Sequence, residues 1–305
     1  MNGQYTCLTC GSAIPLDDIN VASDIALCRK CGSASEFSLI SGASGALGSA
    51  LARRCADSGT LLSLWGRDRE RLEKVRGDCA SRNALADIIA CDIRDHERCR
   101  ALLRETFASR PVDMAILNAG VSSGIPPGGR LESAENACRT IETDCAATIN
   151  MAATLLECMQ ARGTGHIVFI SSIAGLYPLP CSPAYSAAKA ALAYYAKSLR
   201  LGLRGTPIRI SIVYPGYIAS PMSDRLVGPQ PFRITADEAA ERILDGLSAG
   251  KNCIAFPLLL ALGARILHFM PMPLASFFLK GFRFTVTPDD ASSQNQQAAN
   301  EGEGR

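Results

Sequence analysis

No charge of one sign prevails in this chain of 305 residues: 31 Lys and Arg stand against 29 Asp and Glu, a formal net charge of +2. That balance excludes the broad one-signed field with which proteins gather polyanions, so no nucleic-acid partner is expected. The opening residues lack a basic stretch followed by an apolar one; no secretory signal is visible, and a cytoplasmic location is expected. Long hydrophobic runs are missing as well. The most apolar stretch, residues 253–279, is interrupted by Pro257, Arg265, His268, Pro271 and Pro273, leaving runs short of the ~20 residues a spanning helix needs. Internal repeats are not evident, and the length suits one large α/β domain with small attachments.

Cysteine, by contrast, is plentiful. Thirteen cysteines, an odd number in a chain of this size, do not describe a disulfide framework, and cytosolic thiols stay reduced. Four of them are patterned: Cys7-Leu-Thr-Cys10-Gly and Cys28-Arg-Lys-Cys31-Gly, with seventeen residues between. Two such turns can place four thiolates tetrahedrally around one metal, and a glycine after each frees the backbone to turn its amides toward the sulfurs. Residues 1–35 therefore resemble a zinc ribbon with Cys7, Cys10, Cys28 and Cys31 as ligands. A segment this short cannot build a stable apolar core, which favours a structural zinc. A rubredoxin-like iron site or a redox-active pair are the alternatives. Only Arg29 and Lys30 oppose Asp17, Asp18, Asp24 and Glu36, so the segment suits a protein contact or a structural role better than nucleic acid.

The rest of the chain is organised around the stretch from Ser171 to Lys189. His166 to Ile170 is an unbroken apolar run bounded by Gly165 and two serines, which reads as a strand buried on both faces of a parallel sheet. Ser172 then sits at a strand's carboxyl end, the edge where open α/β sheets bind ligands. After a loop with Pro178, Pro180 and Pro183, Tyr185 to about Arg204 reads as a helix. Tyr185 and Lys189 stand four apart and share one face of it. A phenol with a pKa of about 10 exchanges protons poorly at neutral pH; an ammonium beside it favours the phenolate and should pull that value down. Tyr185 becomes a usable general acid or base, and Ser172 can hold a substrate oxygen next to it. Tyr and Lys alone would be weak evidence, but the serine at the preceding strand end makes the trio specific.

Upstream, Phe37 to Ile40 reads as a short strand, followed by the loop Ser41-Gly-Ala-Ser-Gly-Ala-Leu-Gly48 and a helix that ends before Gly59. A glycine loop between strand and helix lets backbone amides approach a pyrophosphate, so Gly42, Ser44, Gly45 and Gly48 are candidate dinucleotide contacts. Further strands are expected over residues 61–65, 86–91, 113–118 and 208–214, giving a doubly wound parallel (Rossmann) sheet of about seven strands in residues 36–256. Thr235 is a plausible N-cap for a helix to Ala249.

Taken together, Ser172, Tyr185-x-x-x-Lys189, the Ser41 to Gly48 loop and Asn118-Ala-Gly120 resemble the short-chain dehydrogenase/reductase family, over roughly residues 36–250. The resemblance implies hydride transfer between a nicotinamide dinucleotide and a carbonyl or alcohol, with Tyr185 as the acid or base. It also implies that Lys189 holds the nicotinamide ribose and that Asn118, Ala119 and Gly120 pack beside the cofactor. Asp92 and Ile93 fall where the family contacts adenine; Pro215 and Gly216 form its Pro-Gly turn, with Ile218 at the nicotinamide amide and Ser220 at the phosphates. Arg67 takes the place of the arginine typical of NADP-preferring members, where NAD-preferring ones carry an acid; NADP is expected, with NAD the alternative. The family's glycine is replaced by Ala46. Its relay asparagine is replaced by Asp144, which is expected to bind the relay water and to keep Lys189 charged. Family habit implies a homodimer or homotetramer.

The expected function is an NADP-dependent oxidoreductase acting on a small, lipid-like carbonyl or alcohol. The competing reading is a non-catalytic protein that senses dinucleotide and binds a partner through the ribbon. Residues 257–286 are expected to form a buried pocket or dimer segment, with an interfacial helix in peripheral contact with a membrane as the second reading. Residues 287–305, polar and without aromatics, are expected to be disordered.

Overall fold

The computed structural model describes residues 5–6, 13–14, 36–279, 281 and 284–287. Cys7, Cys10, Cys28 and Cys31 lie outside the described residues, as do residues 288–305. Of the amino-terminal segment, β1 (Tyr5–Thr6) pairs antiparallel with β2 (Ala13–Ile14).

Seven parallel strands make the main sheet: β3 (Phe37–Ser41), β4 (Leu61–Gly66), β5 (Ala86–Ala90), β6 (Met114–Leu117), β7 (Gly165–Ile170), β8 (Ile208–Pro215) and β10 (Cys253–Phe256). Their order across the sheet is β10-β8-β7-β6-β3-β4-β5. β3 and β7 are buried along their whole length, Ser38, Ser41 and His166 included, as strands covered on both faces are. Alternate side chains feed two cores: Leu39, Trp65, Ile167 and Phe169 enter one layer, while Ile40, Leu64, Val168 and Ile170 enter the other.

On the second layer pack α1 (Ala46–Asp57), α2 (Arg69–Ala80) and α8 (Ala236–Ser248). The first layer receives α3 (His96–Ser109), α5 (Thr148–Arg162) and α6 (Pro183–Gly202), with α4 (Ala134–Ile141) leading into α5. Caps fix where these helices begin. Asp68 accepts from the Arg71 amide, Asp95 from Arg98 and Ser133 from Asn136. Thr235 and Glu238 form the expected capping box of α8. α4 starts at Ala134, where Ser133 caps it, and Leu131 just ahead of it is 82% exposed.

A π-helical turn, Glu142–Ala147, joins α4 to α5 where the sequence predicts unbroken helix. The carboxyl part holds α7 (Pro221–Asp224), β9 (Leu226–Val227), α9 (Leu258–Leu267), α10 (Met272–Leu279) and β11 (Thr285–Val286). β11 pairs antiparallel with β9, the Val286 amide donates to the Ile125 carbonyl and the Thr287 amide to the Arg225 carbonyl. Thr287, expected to begin a disordered tail, is thus held by backbone bonds. Among the described residues no helix is long and apolar enough to cross a membrane.

Candidate active site

Strand order reverses between β3 and β6, and the crevice beyond their carboxyl ends is where such a sheet binds ligands. A cleft of about 1420 Å³ opens there. Every site residue expected from the sequence of the main domain lines it except Gly48. Gly48 acts from behind: a Cβ there would come within 2.1 Å of the Gly42 carbonyl oxygen, so only glycine lets α1 start this close to the loop. Gly42 itself has φ +64°, a left-handed conformation that suits glycine, and a Cβ on it would meet Ala119 at 2.8 Å.

At the dinucleotide end, no side chain caps α1, whose N-cap is Gly45. Its first amides are therefore free to face a phosphate, and Ala46, in place of the family's glycine, lines the cleft without closing it. The Asn118 turn ties the crevice together. Ser41 Oγ accepts from the amides of Asn118 and Ala119 at 3.0 and 3.1 Å, while Asn118 Nδ2 donates to the carbonyls of Ser41 and Gly42, both at 3.2 Å. At the far corner, Asp92 is gripped by Arg94 at 2.7 Å, which holds its carboxyl below the usual range. Arg67 and Arg71 line the same end, whereas the neighbouring acid, Asp68, is spent on capping α2 and on Arg71.

The reactive end is built by three elements. Ser172 leaves β7 in extended conformation, and its Oγ accepts from the Ala174 amide at 3.1 Å. Tyr185 and Lys189 project from the first turns of α6, which is fastened to the strand end by the Ser171 hydroxyl donating to the Lys189 carbonyl at 2.9 Å. Lys189 Nζ donates to the Ile170 carbonyl at 3.3 Å and lies 5.7 Å from the centre of the Tyr185 ring. From the π-helical turn comes Asp144, fully buried, with Oδ2 at 3.0 Å from Lys189 Nζ and Oδ1 accepting from the Val121 amide at 2.7 Å. Gly120 makes room for this carboxylate, since a Cβ there would lie 2.9 Å from Asp144 Oδ2.

Electrostatics here differ from the sequence expectation. Burial of the phenol is the largest influence on Tyr185 and raises its pKa; the Lys189 ammonium and the Ser172 hydroxyl pull it down, the Asp144 carboxylate pushes it up, and the sum is upward. Burial opposes the Lys189 ammonium, yet Asp144 and Tyr185 outweigh it and the lysine pKa is raised. Asp144 offsets the charge that was expected to acidify the tyrosine. The result is a phenol that keeps its proton at neutral pH beside a lysine that also keeps its own.

Sequence reasoning overlooked Arg71 and Arg94, although Arg71 is one helical turn beyond Arg67 and Arg94 two residues beyond Asp92. Of the segment expected to form a buried pocket or a dimer contact, Leu259, Leu260, Ile266, Leu267 and Met270 line the cleft, although Leu259 and Ile266 are also exposed. The sequence pattern of the short chain dehydrogenase family matches residues 36–230. The chain belongs to this family. It is an NAD(P)-dependent short-chain dehydrogenase/reductase. An uncharacterized oxidoreductase of Myxococcus xanthus is 33% identical over 242 residues, covering 77% of this chain and 93% of the relative. An NADP-dependent 3-hydroxy acid dehydrogenase of Salmonella typhi is 31% identical over 185 residues, 59% of this chain and 71% of that one. Among solved structures, a short-chain dehydrogenase of Sphingobium yanoikuyae in complex with NADPH superposes with a TM-score of 0.66 at 26% identity, over 78% of this chain and 97% of that one.

Proposed function

We propose that this short-chain dehydrogenase/reductase works as an NADPH-dependent carbonyl reductase on an apolar substrate. The observation that carries the reading is the placement of Ser172, Tyr185, Lys189 and Asp144 along one cleft at the sheet edge, with Lys189 Nζ 3.0 Å from Asp144 Oδ2 and 5.7 Å from the Tyr185 ring centre. A phenol that holds its proton is a general acid, and donating that proton to a developing alkoxide is the reductive direction. When bound, the nicotinamide supplies the hydride. Ser172 Oγ orients the carbonyl oxygen toward Tyr185, which delivers the proton to it. The Lys189 ammonium stabilises the phenolate left behind, and Asp144 keeps that ammonium in place by pairing with it directly. The direct pair differs from the water relay expected at this position, and it makes Asp144 a positioning residue.

Two observations support NADPH over NADH. Arg67 lines the cleft at this end, and Asp68 is taken up by the α2 cap and by its pair with Arg71, so a guanidinium suited to a phosphate faces the cofactor side in place of a free carboxylate. The NADPH bound by the Sphingobium yanoikuyae relative points the same way. The backbone cradle at Gly42, Ser44, Gly45, Gly48 and Ala46 fits a pyrophosphate; Pro215, Gly216, Ile218 and Ser220 line the nicotinamide side of the cleft. The apolar wall of the same cleft supports a greasy carbonyl compound as substrate.

The amino-terminal cysteines fit a zinc ribbon attached to the reductase. In support, the sequence carries two Cys-x-x-Cys-Gly motifs with seventeen residues between Cys10 and Cys28, a set of four thiolates of the kind that holds one structural zinc. Metal analysis of the purified protein should give one zinc per chain, released by Cys28→Ser; iron instead would assign the ribbon to electron transfer. The reductase reading is tested by following absorbance of the reduced nicotinamide against a panel of aliphatic aldehydes and ketones. Turnover with NADPH, abolished in Tyr185→Phe, is the expected result, and an inert wild type across the panel would leave the dinucleotide-sensing reading in its place.

A further inference from the structure

Sixteen large apolar side chains are exposed among the described residues, and nine of them fall between Leu258 and Phe278. On α9, Leu258 and Leu262 stand one helical turn apart and are 77% and 57% exposed, and Phe269, just past the end of the helix, is 91% exposed. The adjoining stripe, Leu259, Gly263, Ile266 and Met270, lines the cleft. α10 repeats the arrangement: Met272, Leu274 and Phe277 are exposed, and Phe278 and Leu279 reach the cleft mouth. His268 packs edge-on against Tyr177, itself a cleft residue, at 5.4 Å, which anchors the end of α9 to the catalytic loop. The two helices thus carry an apolar surface that runs without a break from the outside of the molecule into the reactive cleft.

Charge decides what covers it. From residue 246 to residue 288 there is no Asp or Glu, while Lys251, Arg265, Lys280 and Arg283 are basic. A second copy seated on this face would bring the same acid-free segment, so the counter-charge for Arg265 would have to come from outside it. An anionic lipid surface supplies the missing counter-charge and an apolar phase together, the combination that holds an interfacial helix.

We propose that α9 and α10 dock this protein on an anionic lipid surface, with Leu262, Phe269, Met272 and Phe277 entering the acyl boundary and the cleft mouth opening onto it. An apolar carbonyl compound dissolved in the lipid would then reach Tyr185 along the Leu259, Ile266 and Phe278 wall without crossing water. That last step rests on the reductase reading; the docking does not.

The test is co-sedimentation of the full-length protein with vesicles of phosphatidylcholine containing roughly one-third phosphatidylglycerol, and with pure phosphatidylcholine, at low and high salt. Wild type should pellet with the anionic vesicles, less with the neutral ones, and less again at high salt. The triple variant Leu262→Ser, Phe269→Ser, Phe277→Ser changes residues outside the cleft, so its NADPH affinity should be unchanged while its vesicle partition falls about tenfold or more. Three results would overturn the proposal: wild type remaining in the supernatant with both vesicles, equal partition onto both, or a lipid-free dimer that the triple variant dissociates, which would make the face a contact between copies. Since pelleting requires no turnover, a protein inert toward carbonyl compounds that still binds anionic vesicles would sink the reductase reading and leave the docking face standing.

Discussion

On the floor of the cleft the reactive side chains are fixed by backbone: Ser41 and Asn118 stitch two strand ends together, Ser171 pins α6 to β7, and the Val121 amide holds Asp144. On the roof, α9 and α10 meet the cleft with Leu259, Leu260, Ile266, Leu267 and Met270, side chains without a directional bond to offer. Hydrogen bonds fix position to a fraction of an ångström, whereas apolar contacts fix area and tolerate exchange of shape. On the function proposed above, the floor would determine which bond is made and broken, and the roof what is admitted to it. Changes on the floor should be severe and specific, changes on the roof mild and graded.

The most severe is Tyr185→Phe. Turnover should fall roughly 10²- to 10⁴-fold while NADPH titrates as in wild type, because only the proton donor is removed. A variant that retains most of its turnover would move the chemistry off the floor altogether.

Next comes Asp144→Leu, which strands the Lys189 ammonium, whose side chain is only 5% exposed, without its partner. Breaking a buried pair in this way costs about 3–5 kcal/mol, read as a lowered urea midpoint, together with most of the activity. Asp144→Asn should cost far less, since an amide oxygen can still accept from Val121 and Lys189. Equal loss in the two variants would mean that the carboxylate's charge, rather than its hydrogen bonds, holds the site.

Beneath the floor, His166 on β7 is buried against Ser211 at 2.9 Å, and burial, with Arg209 adding to it, pushes its pKa down to about 4. The imidazole is neutral in the fold but charges near 6.5 in the unfolded chain, so the unfolded state binds more protons between those values. Stability attributable to His166 should be complete above pH ~6.5 and decline as pH falls toward 4, by about 3 kcal/mol in all. His166→Gln should flatten that slope in urea titrations across the range; an unchanged slope would place the proton uptake elsewhere.

Arg67→Ala should follow, weakening NADPH by about 1.5–3 kcal/mol and NADH hardly at all in equilibrium titrations, as one charge-assisted phosphate contact is lost. Equal weakening of both would make Arg67 an ordinary helix-start residue. The smallest effect belongs to the roof. Leu260→Ala should raise KM about fivefold, near 1 kcal/mol, with kcat untouched, because the apolar wall binds substrate and transition state alike. A fall in kcat instead would show that the roof also positions the carbonyl.

The same division explains what could be read from the sequence. Ser172, Tyr185 and Lys189 were legible because a strand end and one helix face bring them together locally. The glycine loop was legible because it lies between a strand and a helix, and the sheet because its strands are short, predominantly apolar runs between helical stretches. Asp144 could be located, but its direct bond to Lys189 depends on the π-helical turn at Glu142–Ala147, whose sequence carries no signature of the extra residue. The direction of the Tyr185 shift was also beyond reach: it is set first by how deeply tertiary packing buries the phenol, and only then by the Lys189 and Asp144 charges beside it. The roof was legible as apolar but not as exposed. Composition registers that Leu258, Leu262 and Phe269 avoid water; only packing shows that nothing in the described chain covers them.

The clasp formed by β11 has a different character from either surface. Its ties, from the Val286 amide to Ile125 and from the Thr287 amide to Arg225, run between main-chain atoms, so they are indifferent to nearly every side-chain replacement along the strand. Proline is the exception, because it has no amide hydrogen to give. The loop at Ile125 and the turn at Arg225 are in effect laced by a cord whose knot is Val286, buried against Cys181 and Phe284: that position must stay apolar, and a proline at 286 or 287 would cut the thread itself.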